Sequence, residues 1–242
     1  MSEWFENLKL QFDLNFIQKD RWQYLLTGLG NTLRITLFAC LIGIALGTLI
    51  AIVRSTSDRV LPSMRKGLGR TLLNIVDKFC RVYLTVIRGT PVVIQLMICY
   101  YVIFSSSRNG VAIAAISFGL NSAAYVAEIV RSGIQAIDAG QSEASRSLGM
   151  TSAQTMLYII LPQAIKNILP AVGNEFVVII KESSILYTIG IYELTYQANK
   201  LASTNFRYLE TLMISALVYF VLTFTTSRLL GLLERRMRRG DR

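Results

Sequence analysis

The chain of 242 residues contains no histidine. That excludes a Ser-His-Asp triad, an HExxH zinc motif and any imidazole-ligated metal. No Gly-x-x-x-x-Gly-Lys-Ser/Thr loop occurs, so the chain does not bind and hydrolyse ATP by that route. Cysteine is scarce: Cys40, Cys80 and Cys99 show no CxxC spacing and lie in or beside apolar runs. They read as buried small hydrophobes, with no disulfide and no metal site. Charge is scarce as well. Only 17% of residues are charged, where soluble domains carry about a quarter.

What fills the sequence instead is apolar. Hydrophobic residues make up 52% and the mean hydropathy is +0.46. They are clumped into runs of roughly twenty, the length a helix needs to cross about 30 Å of hydrocarbon. A soluble core would break them into short amphipathic periods. The expected fold class is therefore an all-α membrane protein. Five transmembrane helices are expected, over residues 24–53, 90–105, 111–130, 162–190 and 208–230. A polar collar at 27–34 interrupts the first, and an amphipathic stretch at 72–88 precedes the second. Gly43 and Gly47 sit four apart in the first span. Such a pair either lets two helices approach closely or reflects chance in a Gly-rich span.

The formal charge is +10. The basic residues lie between apolar runs rather than along a polar stripe, which favours anionic lipid over nucleic acid. Seventeen Lys and Arg fall in 54–88, 131–166 and the tail, against six on the opposite side. This places the N-terminus outside and the C-terminus in the cytoplasm. An odd number of spans requires the termini on opposite sides, which agrees with this arrangement. Residues 1–23 are then an extracytoplasmic N-terminal segment, 24–230 the transmembrane domain and 231–242 a basic cytoplasmic tail. The polar, partly acidic stretch after Met1 shows no cleavable signal peptide.

The cytoplasmic loop 132–161 reads as two short helices with a hinge. Asp138 caps the first, and Gly149 supplies the left-handed residue that ends it. Thr151 and Gln154 form a capping box for the second. Pro162 falls in the first turn of the fourth span. On local physics alone this remains compatible with an ordinary polar connector. Yet Glu143, Ala144, Gly149, Ile159, Leu161 and Pro162 stand at the spacing of the Glu-Ala-Ala loop. That loop marks the permeases of binding-protein-dependent ABC importers, and this chain resembles them. Ser145 is the one departure, replacing the second alanine of the pattern. Arg88-Gly-Thr-Pro91, the stretch from Asn121 to Glu128, and Gly173-Asn-Glu-Phe are similar to the subgroup that imports polar amino acids: histidine, arginine, glutamine, glutamate and opines. The resemblance runs from Thr27 to the tail.

The resemblance implies a type I importer fold acting as one half of a dimeric pore in a bacterial cytoplasmic membrane. It implies three protein partners: an ABC ATPase subunit, a second permease subunit (the same chain or a paralogue) and an extracytoplasmic solute-binding protein. It also implies no cofactor in this chain, with ATP and Mg bound by the ATPase. Glu143, Ala144, Arg146 and Gly149 would be the coupling residues that dock on it. The substrate would be a polar amino acid, with cationic ones among the candidates.

An ionisable group at mid-membrane costs several kcal/mol and marks a functional position by default. Glu175 lies thirteen residues past Pro162, about 20 Å along a helix at ~1.5 Å per residue. Asn121 lies at similar depth in the third span, and Gln95 a few residues into the second. Asn121, Tyr125 and Glu128 share a helix face, as do Glu175 and Glu182. Glu175, Asn121, Ser122, Tyr125 and Gln95 are the candidate substrate-binding residues, lining a polar cavity between spans. Asn121 and Ser122 serve equally well as interhelical hydrogen-bond partners. Glu128 with Arg131 reads as a structural ion pair, and Lys181 with Glu182 as structural. An ion-coupled carrier or channel is the rival function. A membrane-embedded enzyme is a third reading, weakened by the missing nucleophile–base set.

Overall fold

The computed structural model describes residues 6, 9, 10, 12, 13, 17–206 and 208–238. Much of the expected N-terminal segment, Arg207, and tail residues 239–242 lie outside the described residues. The helices that follow a 3-10 turn, Gln18–Asp20, are α1 (Trp22–Val60), α2 (Leu68–Gly89), α3 (Val92–Ile98), α4 (Gly110–Gln135), α5 (Ala139–Ser147), α6 (Ser152–Gln154), α7 (Leu161–Glu182), α8 (Leu194–Asn205) and α9 (Tyr208–Arg238). Four helical stretches are long and apolar enough to cross a membrane: 18–60, 110–135, 152–189 and 208–237. A fifth exists only if α2 and α3, with its π-helical extension Cys99–Ile103, count as one bent span.

That bent span departs most from the expectation of a straight helix over 90–105. Its two parts meet at 111°. The break falls at Gly89-Thr90-Pro91, where Thr90 and Pro91 are extended. Proline forces the residue before it out of the helical region. The amide of Gln95 reaches back across the break. It donates to Ile87 O at 2.8 Å, Thr90 O at 3.1 Å and Thr90 Oγ1 at 2.8 Å. The carbonyls freed by the bend are thereby satisfied inside the protein, as an apolar surrounding demands.

The first span also differs. The polar collar at 27–34 does not interrupt α1, which runs without a break to Val60. Its polar groups bond to the segment around 192–194 instead. Asn31 donates to Tyr192 O at 2.7 Å, and the Thr32 hydroxyl accepts from Leu194 N at 3.3 Å. Thr27 returns its hydroxyl to Gln23 O, four residues back.

The most extensive packing in the molecule joins α1 to α4. Here the pair Gly43 and Gly47 has a contact role. A Cβ at Gly43 would stand 2.7 Å from Ser122 Oγ, and one at Gly47 2.7 Å from Ala123 O and Val126 Cβ. Small residues four apart thus bring two backbones together, where dispersion contacts hold membrane helices. Two apolar clusters flank this seam. Ile35, Leu96, Phe118, Ile179 and Leu186 form one, and Ala51, Val126, Val130, Ala164 and Ile168 the other. Leu37, Phe38, Leu41, Leu212, Leu217 and Phe220 are exposed, as lipid-facing helices allow.

Candidate functional site

Two regions carry the predicted functional residues. The first lies between α3, α4 and α7. Asn121 is buried and donates to Gln95 Oε1 at 2.9 Å, so the same glutamine that closes the α2–α3 break also binds α4. Ser122, the next residue, points to α7 instead. Its hydroxyl is buried and makes no hydrogen bond of good geometry, yet it lies close enough to the Glu175 carboxylate to interact with it. Glu175 itself is partly buried. Among the described residues no Lys or Arg comes within salt-bridge distance of it.

The expected single face Asn121, Tyr125 and Glu128 is divided by the structure. Asn121 serves Gln95, whereas Tyr125 and Glu128 face Arg88 at the end of α2. The Arg88 guanidinium lies 5.8 Å from the Tyr125 ring centroid and 3.7 Å from Glu128 Oε2. Arg131 holds the same carboxylate at 2.6 Å. The pair Glu128–Arg131 is present as expected, with Arg88 as a third member that sequence spacing did not show. Lys181 and Glu182 make no ion pair with each other within 4.0 Å among the described residues.

The second region is the loop after α4. Asp138 Oδ1 accepts from Gly140 N at 2.7 Å, capping α5. The helix ends on Gly149 at φ +83°, with Met150 N donating to Ser145 O and Gly149 N to Arg146 O. This is the left-handed termination that glycine favours. Thr151 and Gln154 exchange the two bonds of a capping box. A π-helical segment, Thr155–Ile160, then joins α6 to α7. Pro162 sits directly beyond it in the first turn of α7. Proline has no N–H to give, and the wider π register accommodates that loss.

Glu143, Ala144 and Arg146 are exposed on α5. Beside them Leu148 is 84% exposed at the loop's tip, an apolar side chain that the sequence analysis passed over. Ser145, the departure from the alanine pattern, is buried and donates to Thr155 Oγ1 at 3.0 Å. It ties the two arms of the loop together. A bent span, a membrane-embedded carboxylate and a projecting capped helix thus occur in one all-helical chain.

The family described as "binding-protein-dependent transport system inner membrane component" matches residues 43–239. This chain belongs to that family. The arginine transport system permease protein ArtQ of Bacillus subtilis is 36% identical over 90% of this chain and 94% of its own length. The glutamine transport system permease protein GlnP of Escherichia coli K12 is 34% identical over 85% and 90%. Among solved structures, a crystal structure of an amino acid ABC transporter with histidines shares 44% identity and a TM-score of 0.77. That match covers 88% of this chain and 94% of the solved one. An inward-facing MetNI methionine ABC transporter superposes with a TM-score of 0.67 at 18% identity over 88% and 98%, which shows the fold alone.

As a binding-protein-dependent permease, the chain is a multi-pass inner-membrane transport component rather than an enzyme. Its family works with an ATPase and a solute-binding protein. Two polar networks in this permease were missed in the sequence. Glu193 is fully buried and caps α8, accepting from Thr195 N, Tyr196 N and the Tyr219 hydroxyl at 2.8, 2.6 and 2.7 Å. A glutamate before Leu-Thr-Tyr-Gln is a weak capping signal, and Tyr219 lies too far along the chain to suggest itself. Asp77, 2% exposed, binds Arg54 at 2.7 Å and Arg81 at 2.8 Å. Only the i, i+4 spacing of Asp77 and Arg81 could have hinted at it.

Proposed function

We propose that this permease carries a polar amino acid and that Glu175 receives the solute's ammonium or guanidinium group. The observation that carries this reading is the carboxylate within a membrane-crossing helix, beside the Ser122 hydroxyl and with no Lys or Arg within salt-bridge distance among the described residues. Leaving such a charge uncompensated in a low-dielectric surrounding costs several kcal/mol. A cationic group on a passing solute offsets that cost. Ser122 adds a hydrogen-bonding group beside it, while Gln95 and Asn121 hold the shape of the neighbouring bend. Tyr125, one turn further along α4 than Asn121, presents a half-exposed ring beside Arg88. Relatives named for arginine and glutamine transport support an amino acid, and no feature of the chain supports the ion-coupled alternative.

Five spans result when α2 and α3 are taken as one broken crossing, with the N-terminus outside and the C-terminus cytoplasmic. The excess of basic residues beside α2, in the loop and in the tail supports that orientation. The loop then faces the cytoplasm, and Glu143, Ala144, Arg146 and Leu148 present the surface that docks on the ATPase. ATP and Mg belong to that ATPase. A second permease subunit, identical or paralogous, completes the pore. Closure of the ATPases moves the loop as a lever and switches the pore between outward and inward states. Import requires weaker binding of the solute in the inward state than outside.

A thermal-shift screen of the purified complex against the twenty amino acids tests the site. Arginine, lysine or histidine is expected to raise the Tm of wild type and leave Glu175→Gln unmoved. Equal shifts in both proteins would remove Glu175 from the site.

A further inference from the structure

Six arginines cluster near the loop end of the bundle, and they fall into two groups. Arg54 and Arg81 are paired with Asp77 and Asp58, and Arg88 and Arg131 share Glu128. Arg59 and Arg146 have no salt bridge among the described residues. Glu143 is three residues before Arg146, within helical reach, yet it does not pair with it. Asp58 adjoins Arg59 in sequence but faces Arg54 and Arg81.

Both unpaired arginines line one cavity of about 760 Å³, between the last turns of α1 and the α5–α6 loop. Its walls also carry the hydroxyls of Ser142 and Ser152, neither of which makes a hydrogen bond among the described residues. Val60 and Met156 provide an apolar side. Two guanidinium groups on separate elements, with free hydroxyls between them, match a phosphate group. Each guanidinium can give two parallel N–H bonds to its oxygens.

We propose that this cavity binds a phosphate-bearing anion and that its position favours the headgroup of an anionic phospholipid. The apolar run of α1 ends at Val53 and the cavity opens from Ser55 onward, which sets it at the level of headgroups. This placement rests on the proposed cytoplasmic side of the loop, where basic pockets meet anionic lipid. Bound there, a lipid bridges α1 to the coupling helix and fixes the angle at which that helix projects.

The test uses the permease purified with its ATPase in phosphatidylcholine nanodiscs. Wild type, the double variant Arg59→Gln/Arg146→Gln and the double variant Arg59→Lys/Arg146→Lys are compared. Adding phosphatidylglycerol is expected to raise the Tm of wild type. The shift should vanish in the glutamine variant and persist in large part in the lysine variant, which also controls for folding. The same pattern with inorganic phosphate, and none with phosphatidylglycerol, would support the anion site with a soluble source. Equal shifts in wild type and the glutamine variant would overturn the proposal. So would the absence of any shift in wild type from either anion, whether or not the variants keep the ATPase. None of these outcomes alters ATP-driven uptake as the test of the permease reading.

Discussion

Replacing the buried Asp77 by alanine is expected to lower the thermal stability of the permease more than removal of any of its exposed charges. Asp77 is 2% exposed and holds two guanidinium groups at 2.7 and 2.8 Å. The Arg54 side chain is itself only 12% exposed. Without Asp77, Arg54 retains only Asp58 at 3.8 Å. Breaking a buried pair by removing one partner costs about 3–5 kcal/mol, because the other charge is left desolvated. Arg81 adds little, since its side chain is 55% exposed and solvent screens it. Replacing both partners together, as Asp77→Leu with Arg54→Met, should be far milder, because no lone charge remains. A large drop in Tm for Asp77→Ala and a small one for the double variant would fit this network. Equal drops would mean that the site matters for its packing and not its charge.

Gly149→Val should abolish substrate-stimulated ATPase activity while leaving the chain in the membrane. Gly149 has φ +83°, and no atom lies within 4 Å of where its Cβ would stand. Backbone conformation is therefore the obstacle, not space. A left-handed residue with a Cβ costs roughly 1–2 kcal/mol, and a β-branched one is a genuine outlier there. The chain escapes the strain by reopening the end of α5, which breaks the bonds from Gly149 N and Met150 N. Leu148 and Arg146 then lose their fixed direction relative to α7. Gly149→Asn is the matched control, since asparagine tolerates the left-handed region and should retain much of the coupling. Normal stimulation in the valine variant would remove the loop from its coupling role.

The sequence signals that succeeded are short-range. Asp138, Gly149 and the pair Thr151–Gln154 stand within one helical turn of the groups they satisfy, so their caps could be read directly. The end of the fourth span was equally local: the 3-10 turn Ser183–Ile189 stops at Gly190, with φ +75°. What failed depends on how helices cross. The contacts Arg54–Asp77 and Gln95–Asn121 join residues 23 and 26 positions apart. The first follows from how α2 folds back on α1, and the second from how α3, set at 111° to α2 beyond Pro91, packs on α4. For the same reason the shared face of Asn121, Tyr125 and Glu128 could be read as helix geometry, but not that Asn121 turns to Gln95 while Tyr125 and Glu128 turn to Arg88. The choice between close approach and chance at Gly43 and Gly47 needed the facing residues, Ser122 and Val126. Asp77 lies inside the amphipathic stretch 72–88, and nothing in the sequence singled it out from the charges around it.

Uptake of radiolabelled amino acid into proteoliposomes tests the central claim most directly. The vesicles would hold the permease with its ATPase, ATP inside and the solute-binding protein outside. Accumulation that requires internal ATP and the binding protein, and that persists when ion gradients are collapsed, is the predicted result. Accumulation that follows an imposed ion gradient without ATP would contradict the account and make the chain an ion-coupled carrier.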